Sequence, residues 1–372
     1  MTNSLIKAIG TAVPDNKISQ EEHYSILESA NGMSREEKLR LRRIYSRSGI
    51  AYRHSVLDEF GKEDRPENVL FHPAGLTPST TVSKRMELYE THAAALCEKA
   101  VRACLKVLPE LKASDVTHII TFSCTGMFAP GVDIQLVERL GMQRSVERTC
   151  VNFMGCYAAI NALKVAYHIS RSEPNAVVLV AGVELCSLHY QKSQEQNQVV
   201  ANALFSDGAA AAIVTTKAMK KSNVERDLSL RDFYAEFEQT ASEDMVWRIG
   251  NVGFDLRLTT EVPNIVRNNI KLLTEKLFAK TKLQKEDVDY YAIHPGGMKI
   301  LEACEEALEI SAEQNNISYQ VLHDYGNMSS VTVLFVLKEY LNRLGAADIG
   351  KKILACAFGP GITMESMIAE VA

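Results

Sequence analysis

The amino-acid sequence predicts a layered α/β protein in which buried strands alternate with covering helices. Residues 176–182 and 353–359 are continuous apolar runs that end at glycine, and such runs are typical of central strands covered on both faces. Residues 87–107 and 264–280 are predicted to be helices that form the covering layers. With 372 residues, of which 46% are hydrophobic, the chain is long enough for a large core.

The chain also contains two stretches that resemble each other. Residues 114–120 and 286–293 both have the pattern of a strand, and they lead into a Cys-Thr-Gly turn and a His-Pro-Gly-Gly turn. The interval between these strands equals the interval from Gly155 to Asn327, about 172 residues, as an internal duplication would produce. The sequence therefore predicts an internal pseudo-repeat.

The boundary between the two halves is predicted near residues 217–228, where the density of charged residues rises. This boundary gives a first half at 1–220 and a second half at 221–372. Residues with catalytic chemistry occur in both halves.

The charge balance limits the partners of the protein. Lys and Arg number 41 against 46 Asp and Glu, so the formal net charge is -5. Such a chain has no overall attraction to nucleic acid or to an anionic membrane. The apolar run near residue 180 is too short to span a bilayer, so we expect neither a nucleic-acid partner nor membrane insertion.

The cysteines point to a reducing compartment. Eight of them are scattered without C-x-x-C spacing: Cys97, Cys104, Cys124, Cys150, Cys156, Cys186, Cys304 and Cys356. This pattern predicts neither a zinc site nor a disulfide framework. The first 17 residues also lack the apolar stretch of a signal peptide. We therefore expect a cytoplasmic protein without a metal site.

Three residues that are far apart in the sequence form a candidate catalytic set. A cysteine is a good nucleophile only as a thiolate, so it needs an imidazole that can hold it ionised and a donor for the developing oxyanion. Cys156, His294 and Asn327 provide these groups. Each alone is also typical of ordinary structure, as a core residue, a strand-ending turn or a helix cap. Their combination at matching places in a repeated fold favours catalysis.

The residues after Cys156 predict a buried central helix. Residues 157–166 are mostly small and apolar helix formers. Cys156 would lie at the start of this helix, where unpaired amides and the helix dipole stabilise an anion, so we expect a lowered thiol pKa. Asn327 would begin the equivalent helix in the second half, with its amide facing Cys156.

Four segments resemble the signature segments of type III polyketide synthases, the chalcone and stilbene synthase family. They are Gly155-Cys156, the His-Pro-Gly-Gly turn at 294–297, Tyr-Gly-Asn-Met-Ser-Ser at 325–330 and Phe-Gly-Pro-Gly-Ile-Thr at 358–363. The resemblance extends from about residue 6 to the C-terminus, and residues 244–253 are more similar to bacterial members.

This resemblance implies a homodimeric enzyme with the thiolase fold, a duplicated five-layer αβαβα arrangement. It implies an acyltransferase that loads an acyl-CoA starter on Cys156, extends it with malonyl-CoA and cyclises the product without an acyl carrier domain. His294 and Asn327 match the pair that assists decarboxylation. Coenzyme A thioesters would be substrates, and no cofactor would be tightly bound.

Two alternatives are less consistent with the sequence. Priming ketoacyl synthases share the fold and the Cys, His, Asn trio, but typically carry His-Gln-Ala-Asn and lack the Phe-Gly-Pro-Gly loop. Papain-like hydrolases also use Cys, His and Asn. Against them stand the position of Cys156 deep in the chain, the absence of a secretory leader and the layered α/β repeat.

The resemblance also implies which residues shape the cavity. Phe205 matches the gatekeeper aromatic beside the cysteine, although its sequence context also suits an ordinary core phenylalanine. The remaining substrate-binding candidates, several at positions where plant enzymes have other residues, are Leu256, Cys124, Cys186, His189 and Ser329. His189 is either a second acid/base or a hydrogen-bonded wall residue. Ala129 replaces a methionine that reaches the partner subunit, and Trp247 has no clear counterpart.

A basic segment offers a landing site for the phosphates of coenzyme A. Residues 35–53 contain seven basic side chains and only two acidic ones. Arg40, Arg43 and Arg47 have the i, i+3, i+7 spacing that places side chains on one face of a helix. The family has basic residues at matching positions. A solvated helix face is the usual explanation of such a run, and a nucleic-acid contact is another, but no interleaved aromatic residues support the latter. The coenzyme A site is therefore the favoured interpretation.

Overall fold

A computed structural model of the chain describes residues 3–29, 33–60, 62, 68, 81–191, 196–222 and 226–372. The strands are β1 (Ser4–Ala12), β2 (Asn16–Ser19), β3 (Tyr52–Ser55), β4 (His118–Ser123), β5 (Glu147–Asn152), β6 (Val177–Leu185), β7 (Asp207–Thr215), β8 (Leu228–Phe237), β9 (Met245–Ile249), β10 (Phe254–Leu258), β11 (Tyr290–Ile293), β12 (Lys352–Gly359) and β13 (Thr363–Val371). The α-helices are α1 (Gln20–Ser29), α2 (Arg35–Ser46), α3 (Val82–Val107), α4 (Val132–Leu140), α5 (Ala158–Ser172), α6 (Gln196–Leu204), α7 (Val262–Thr281), α8 (Met298–Leu308), α9 (Asn316–Tyr325) and α10 (Thr332–Arg343).

Nine of these strands form one sheet whose two parts have the same topology. The order is β11-β12-β13-β8-β1-β7-β6-β4-β5, and β1 pairs with β8 where the two parts join. In the first part β4 is parallel to β6, while β6–β7 and β7–β1 are antiparallel. In the second part β11 is parallel to β12, while β12–β13 and β13–β8 are antiparallel. Strand order and direction therefore repeat.

The repeat extends to individual hydrogen bonds. Before β4, the Asp115 carboxylate accepts a hydrogen bond from the backbone N–H of Lys112 at 2.9 Å. Before β11, the Asp287 carboxylate accepts one from the N–H of Gln284 at 2.8 Å. Each aspartate closes a short 3-10 turn that leads into its strand. The part of the second half that would correspond to β5 is instead helix α9.

Three apolar clusters divide the fold into five layers. In the first, α5 and α10 pack between the facing sides of the two sheet parts. The second joins α3 and α4 to the outer side of the first part, and the third joins α7 and α8 to the outer side of the second part. The layers are therefore helix, sheet, helix, sheet, helix, so the predicted thiolase fold is confirmed.

Some element ends differ from the sequence-based expectations. Helix α3 begins five residues before 87, because the Thr81 side chain accepts a hydrogen bond from the Lys84 N–H at 3.3 Å and caps it there. The strands predicted at 114–120 and 286–293 begin later, after the 3-10 turns. Within the predicted boundary at 217–228, residues 223–225 lie outside the described residues, and the division into 1–220 and 221–372 stays a prediction.

Smaller elements cover one end of the molecule. Helices α1, α2 and α6 pack together around Leu41, Tyr45 and Ala203. The hairpin β9–β10 pairs only with itself in the described sheets. These elements enclose a cavity that both halves of the chain line. Among the described residues, no helix combines the length and apolar character needed to cross a membrane.

Candidate active site

A cavity of about 580 Å³ opens at this end of the fold. All twelve residues that the sequence analysis singled out for the site line it: Cys156, His294, Asn327, Phe205, Leu256, Cys124, Cys186, His189, Ser329, Arg40, Arg43 and Arg47. The sequence places these residues in both halves of the chain, and the duplicated fold brings them around one space.

Cys156 lies in the short loop between β5 and α5, two residues before the helix. The loop is held by a close contact with the Phe-Gly-Pro-Gly segment. Gly155 has a φ of +87°, and a Cβ added there would lie 2.1 Å from Cδ of Pro360. A Cβ at Gly359 would likewise lie 3.2 Å from the backbone nitrogen of Cys156. Both glycines therefore allow a backbone approach that a side chain would obstruct.

The thiol of Cys156 faces a polar partner but is surrounded by protein. Its Sγ lies 3.6 Å from Oγ of Ser329. Burial raises the pKa of Cys156 to about 12, and the negative charge of Glu184 acts in the same direction. The position of Cys156 at the helix start predicted a lowered thiol pKa. That prediction is wrong for the thiol without substrate, because the loss of hydration outweighs the effect of the helix amides.

His294 follows β11 and is almost fully buried. Its backbone N–H donates to the carbonyl of Cys356 at 2.8 Å, which continues the strand ladder and fixes the residue at the edge of the cavity. Neither Nδ1 nor Nε2 has a hydrogen-bond partner among the described residues. Burial lowers the pKa of His294 to about 3. A buried imidazole with both nitrogens unsatisfied costs about 1–3 kcal/mol for each lost partner, so the ring is ready to bind a ligand.

Asn327 is held in one orientation by its neighbours. Its Oδ1 accepts a hydrogen bond from the backbone N–H of Ser329 at 2.8 Å, and its Nδ2 donates to the carbonyl of Gly296 at 3.2 Å. Because Gly296 follows His294 by two residues, this bond joins the two catalytic candidates. An amide nitrogen has two hydrogens, so one remains for a ligand.

Phe205 connects the nucleophile half to Asn327. The backbone of Asn327 donates to the carbonyl of Leu204 and accepts from the N–H of Ser206, both at 2.9 Å, so Phe205 forms a bridge with it. Phe205 is partly exposed on the cavity. Its position is thus tied to that of Asn327 by backbone hydrogen bonds.

His189 has the environment of a wall residue. Its Nε2 lies 2.6 Å from the carbonyl of Thr125, and its Nδ1 accepts from the N–H of Phe254 at 3.1 Å. The ring stacks on Phe254 with centroids 4.1 Å apart. Burial lowers the pKa of His189 to about 3. With both nitrogens used, the neutral ring supports the cavity and has no free position for proton transfer.

The two other cysteines of the cavity are bound differently. Gly155 N–H donates to Sγ of Cys124 at 2.8 Å, and the thiol donates to the Gly155 carbonyl at 3.4 Å. Cys124 therefore supports the loop that carries the nucleophile. Cys186 is buried in the 3-10 turn after β6, and burial raises its pKa well above the usual range.

Arg40, Arg43 and Arg47 lie on α2 and at its C-terminal cap. Each is exposed to solvent and also lines the cavity, so together they mark its opening. Helix α2 is closed at its start by a capping box between Ser34 and Glu37. The predicted helix and the common face of the arginines are both present.

Three residues of the site were not assigned to it from the sequence. Glu184 is fully buried, and its carboxylate accepts hydrogen bonds from Thr125 at 2.7 Å and from Ser330. Trp247 and Phe254 line the cavity from the hairpin β9–β10. The alternation of apolar and charged residues at 254–258 would have predicted a half-buried strand there.

Similarity to known families and structures is consistent with this site. Sequence models of the chalcone and stilbene synthases match residues 2–218 with the N-terminal domain and residues 234–372 with the C-terminal domain. The chain belongs to the chalcone and stilbene synthase family. It is 30% identical over 370 residues to the alpha-pyrone synthesis polyketide synthase-like Pks18 of Mycobacterium tuberculosis, with 100% of this chain and 92% of that protein covered.

Solved structures of similar proteins agree with this assignment. PKS-I from the brown alga Ectocarpus siliculosus has a TM-score of 0.90 at 30% identity, covering 100% of this chain and 99% of that one. The C-terminal type III polyketide synthase domain of Steely1, from a Dictyostelium type I/III hybrid, also reaches 0.90, at 27% identity and with 99% of each chain covered.

Membership in the chalcone and stilbene synthase family confirms the predicted activity. The protein is a type III polyketide synthase, a transferase that acts by decarboxylative condensation. Enzymes of this family use coenzyme A thioesters as substrates and carry no tightly bound cofactor. The priming ketoacyl synthase and papain-like alternatives receive no support from these matches.

Proposed function

We propose that Cys156 carries the acyl chain and that His294 and Asn327 assist both loading and decarboxylation. In this proposal an acyl-CoA starter is transferred to Cys156, extended with malonyl-CoA and cyclised. The observation that carries it is that these three residues, which are far apart in sequence, line the same cavity. The chain belongs to a polyketide synthase family, which supports acyl loading and decarboxylative condensation as the reactions in this cavity.

Loading begins from neutral groups, because burial raises the pKa of Cys156 and lowers the pKa of His294. The thiol proton passes to a ring nitrogen of His294 as sulfur attacks the thioester carbonyl. The carbon–sulfur bond to coenzyme A then breaks, and the leaving coenzyme A thiolate takes this proton from the imidazolium of His294. The result is an acyl-Cys156 thioester and free coenzyme A.

Extension uses the same imidazole and the amide of Asn327. Malonyl-CoA loses carbon dioxide, and the electron pair of the broken bond becomes an enolate on the thioester. Its oxygen accepts hydrogen bonds from Asn327 Nδ2 and His294. The enolate carbon attacks the acyl-Cys156 carbonyl and displaces the cysteine sulfur as a thiolate, which takes up a proton from solvent. The unsatisfied nitrogens of His294 and the free hydrogen of Asn327 support these roles.

Coenzyme A is proposed to bind at the opening of the cavity. Arg40, Arg43 and Arg47 are exposed there, in a chain whose overall charge is negative. Guanidinium groups suit phosphate oxygens because they form paired, charge-assisted hydrogen bonds. The pantetheine arm would then lead inward toward Cys156.

We further propose a homodimer that associates through β5. This strand is at the end of the nine-stranded sheet, and most of its residues are exposed. An exposed edge strand has unpaired backbone groups that a second copy can pair with across a twofold axis. Light scattering should report twice the mass of the chain, and a monomer at micromolar concentration would contradict this part of the proposal.

A cytoplasmic location is part of the same proposal. All eight cysteines fall within the described ranges and are free thiols, and seven are at least partly buried. Free thiols of this number are typical of a reducing compartment. Fractionation of producing cells would test it, and recovery of the protein outside the cytoplasm would contradict it.

The decisive experiment concerns acyl loading. Cys156→Ala should abolish formation of a labelled acyl-enzyme, measured by intact-protein mass spectrometry after incubation with acyl-CoA. Cys304→Ala is the matched control, because Cys304 is a free thiol on α8 that lies outside both the cavity and the proposed β5 interface, and it should load normally. Labelled acyl-enzyme in the Cys156 variant would refute the assignment.

A separate measurement addresses decarboxylation. His294→Gln and Asn327→Ala should each lower carbon dioxide release from malonyl-CoA by roughly 100-fold, since removal of one oxyanion donor costs about that much. Release at the original rate would remove both residues from the proposed role.

A panel of acyl-CoA starters, incubated with malonyl-CoA, would identify the preferred starter.

A further inference from the structure

We propose that Arg85 is a positioning residue that fixes one wall of the cavity and thereby limits the size of the chain made in it. The aromatic wall consists of His189, Trp247 and Phe254, all of which line the cavity, whereas Arg85 does not. This inference depends on the proposed function, because it takes the cavity to be where the chain grows.

Arg85 joins two separate segments that carry the aromatic wall. Its Nη1 donates to the carbonyl of Leu188 and to that of Tyr190, the latter at 2.9 Å. Its Nε donates to the carbonyl of Val252 in the turn of the β9–β10 hairpin. Leu188 and Tyr190 flank His189, and Val252 is two residues before Phe254. One guanidinium therefore holds both sides of the stacked pair.

The hydrogen bonds of Arg85 are unusual for a buried cation because all three acceptors are backbone carbonyl oxygens. The side chain is buried, and burial lowers its pKa to about 10, so it stays protonated at neutral pH. A buried charge is tolerated only when dipoles or counter-charges compensate it. The carbonyls of the two segments and the negative charge of Asp255 on β10 provide that compensation, so separating these groups from Arg85 is costly.

The hairpin needs this anchor more than the other strands do. Strands β9 and β10 pair only with each other in the described sheets, and an isolated two-stranded hairpin is marginal in stability. Its turn is fixed to the start of α3 by Arg85 and by a hydrogen bond from the Val82 N–H to the Asn251 carbonyl at 3.3 Å. Gly253 lies beside this contact, since a Cβ there would lie 2.9 Å from Nε2 of Gln191 and 3.4 Å from Nε of Arg85.

Arg85 affects the cavity through the contacts within the aromatic wall. The N–H of Phe254 donates to His189, and the two rings stack. Trp247 meets His189 edge-on at 5.5 Å and donates from its indole nitrogen to the carbonyl of Cys124 at 2.8 Å. Cys124 in turn supports the Cys156 loop. A shift of the hairpin thus changes the space beside the nucleophile.

The test compares Arg85→Lys with a control on the same helix. Lysine keeps the charge, but a single ammonium cannot span carbonyls in two directions as a planar guanidinium does. Arg102→Lys is the control, because Arg102 is exposed on α3 and pairs with Glu98. Purified variants receive the same acyl-CoA starter and malonyl-CoA, and the products are separated by mass.

Arg85→Lys should raise the ratio of longer to shorter products by roughly tenfold, because the wall no longer limits the chain. This is the lower end of the discrimination that one methylene of pocket space provides. Acyl loading on Cys156 should stay unchanged, because Arg85 does not line the cavity. Arg102→Lys should leave both unchanged. A product ratio equal to that of the unmodified enzyme would overturn the inference, even if total activity fell with stability, because a purely structural residue would lower all products together.

A second variant changes the hairpin side of the contact between Arg85 and the β9–β10 turn. Gly253→Ala places a methyl group against Gln191 and Arg85, and it should shift the products in the same direction. It keeps the test valid if Arg85→Lys does not fold. Loading that persists in Cys156→Ala would defeat the proposed function, whereas unchanged product ratios in both wall variants would defeat this inference alone.

Discussion

The close approach of Gly155 to Pro360 can be tested by one methyl group. In Gly155→Ala, the left-handed conformation at φ +87° costs about 1–2 kcal/mol. The new Cβ would also lie 2.1 Å from Cδ of Pro360, and overpacking of this kind costs about 1–3 kcal/mol. We therefore expect the free energy of unfolding to fall by about 2–5 kcal/mol in total.

Gly141→Ala is the matched control for this substitution. Gly141 has a φ of +64° at the C-terminal cap of α4, and a Cβ there would meet nothing within 4 Å among the described residues. It should lose only the conformational part, about 1–2 kcal/mol. Urea denaturation followed by circular dichroism gives both values. Equal losses in the two variants would refute the idea that Pro360 holds the loop.

The same substitution should affect catalysis through its neighbour. Cys156 follows Gly155 directly, so a displaced loop moves the nucleophile. A misplacement of about 1 Å costs roughly 100-fold in rate. The rate of acyl loading should therefore fall by that order in Gly155→Ala and remain normal in Gly141→Ala. Normal loading in a destabilised Gly155 variant would show that the contact has only a structural role.

Three further predictions concern the charged and titratable groups of the site. Replacing Arg40, Arg43 and Arg47 together by Ala should raise KM for acyl-CoA, with a smaller effect at high salt; an unchanged KM would mean that the phosphates bind elsewhere. His294→Gln should slow alkylation of Cys156 by iodoacetamide at pH 7 by roughly 100-fold, because no imidazole then takes the thiol proton as sulfur attacks the reagent, and an equal rate would contradict proton transfer to His294. Burial lowers the pKa of His294 to about 3 in the folded protein, whereas the pKa in the unfolded chain is near 6.5. Between these two values only the unfolded chain takes up the proton, so the stability present above pH 6.5 is lost as the pH falls toward 3. His294→Gln should therefore flatten the acid loss of stability by about 1.4 kcal/mol per pH unit, measured from unfolding midpoints between pH 6 and 4; an unchanged slope would contradict it.

Much of the fold could be predicted because its central elements are strongly patterned. The strands β6 and β12 are continuous apolar runs, since both of their faces are covered by helices. The element ends could not be predicted as well. The 3-10 turn before β4 depends on the Asp115 carboxylate, and the early start of α3 depends on the Thr81 cap. Such local hydrogen bonds leave little trace in hydrophobic periodicity.

The site could be predicted only where its residues belong to short motifs. Cys156, His294 and Asn327 stand in segments with recognisable neighbours, and the structure brings them to one cavity. Glu184 and Arg85 are single charged residues within apolar or helical stretches, and nothing nearby in sequence shows their partners. Their hydrogen bonds go to segments about 60 to 170 residues away, as in the bond from Arg85 to Val252.

The pKa of Cys156 illustrates why placement at a helix start was not sufficient. A helix terminus favours an adjacent charge by about 0.3–2 kcal/mol, which is at most about 1.5 pKa units. Full burial can shift a pKa by about 3–5 units, so the thiol pKa rises. The same burial lowers the pKa of His294, and the two shifts together oppose separate ionisation. Proton transfer between them leaves the net charge of the cavity unchanged, and attraction between the resulting ions offsets part of the cost. The transfer is therefore most favourable when a thioester carbonyl beside Asn327 accepts the negative charge, which couples activation of the nucleophile to the presence of substrate.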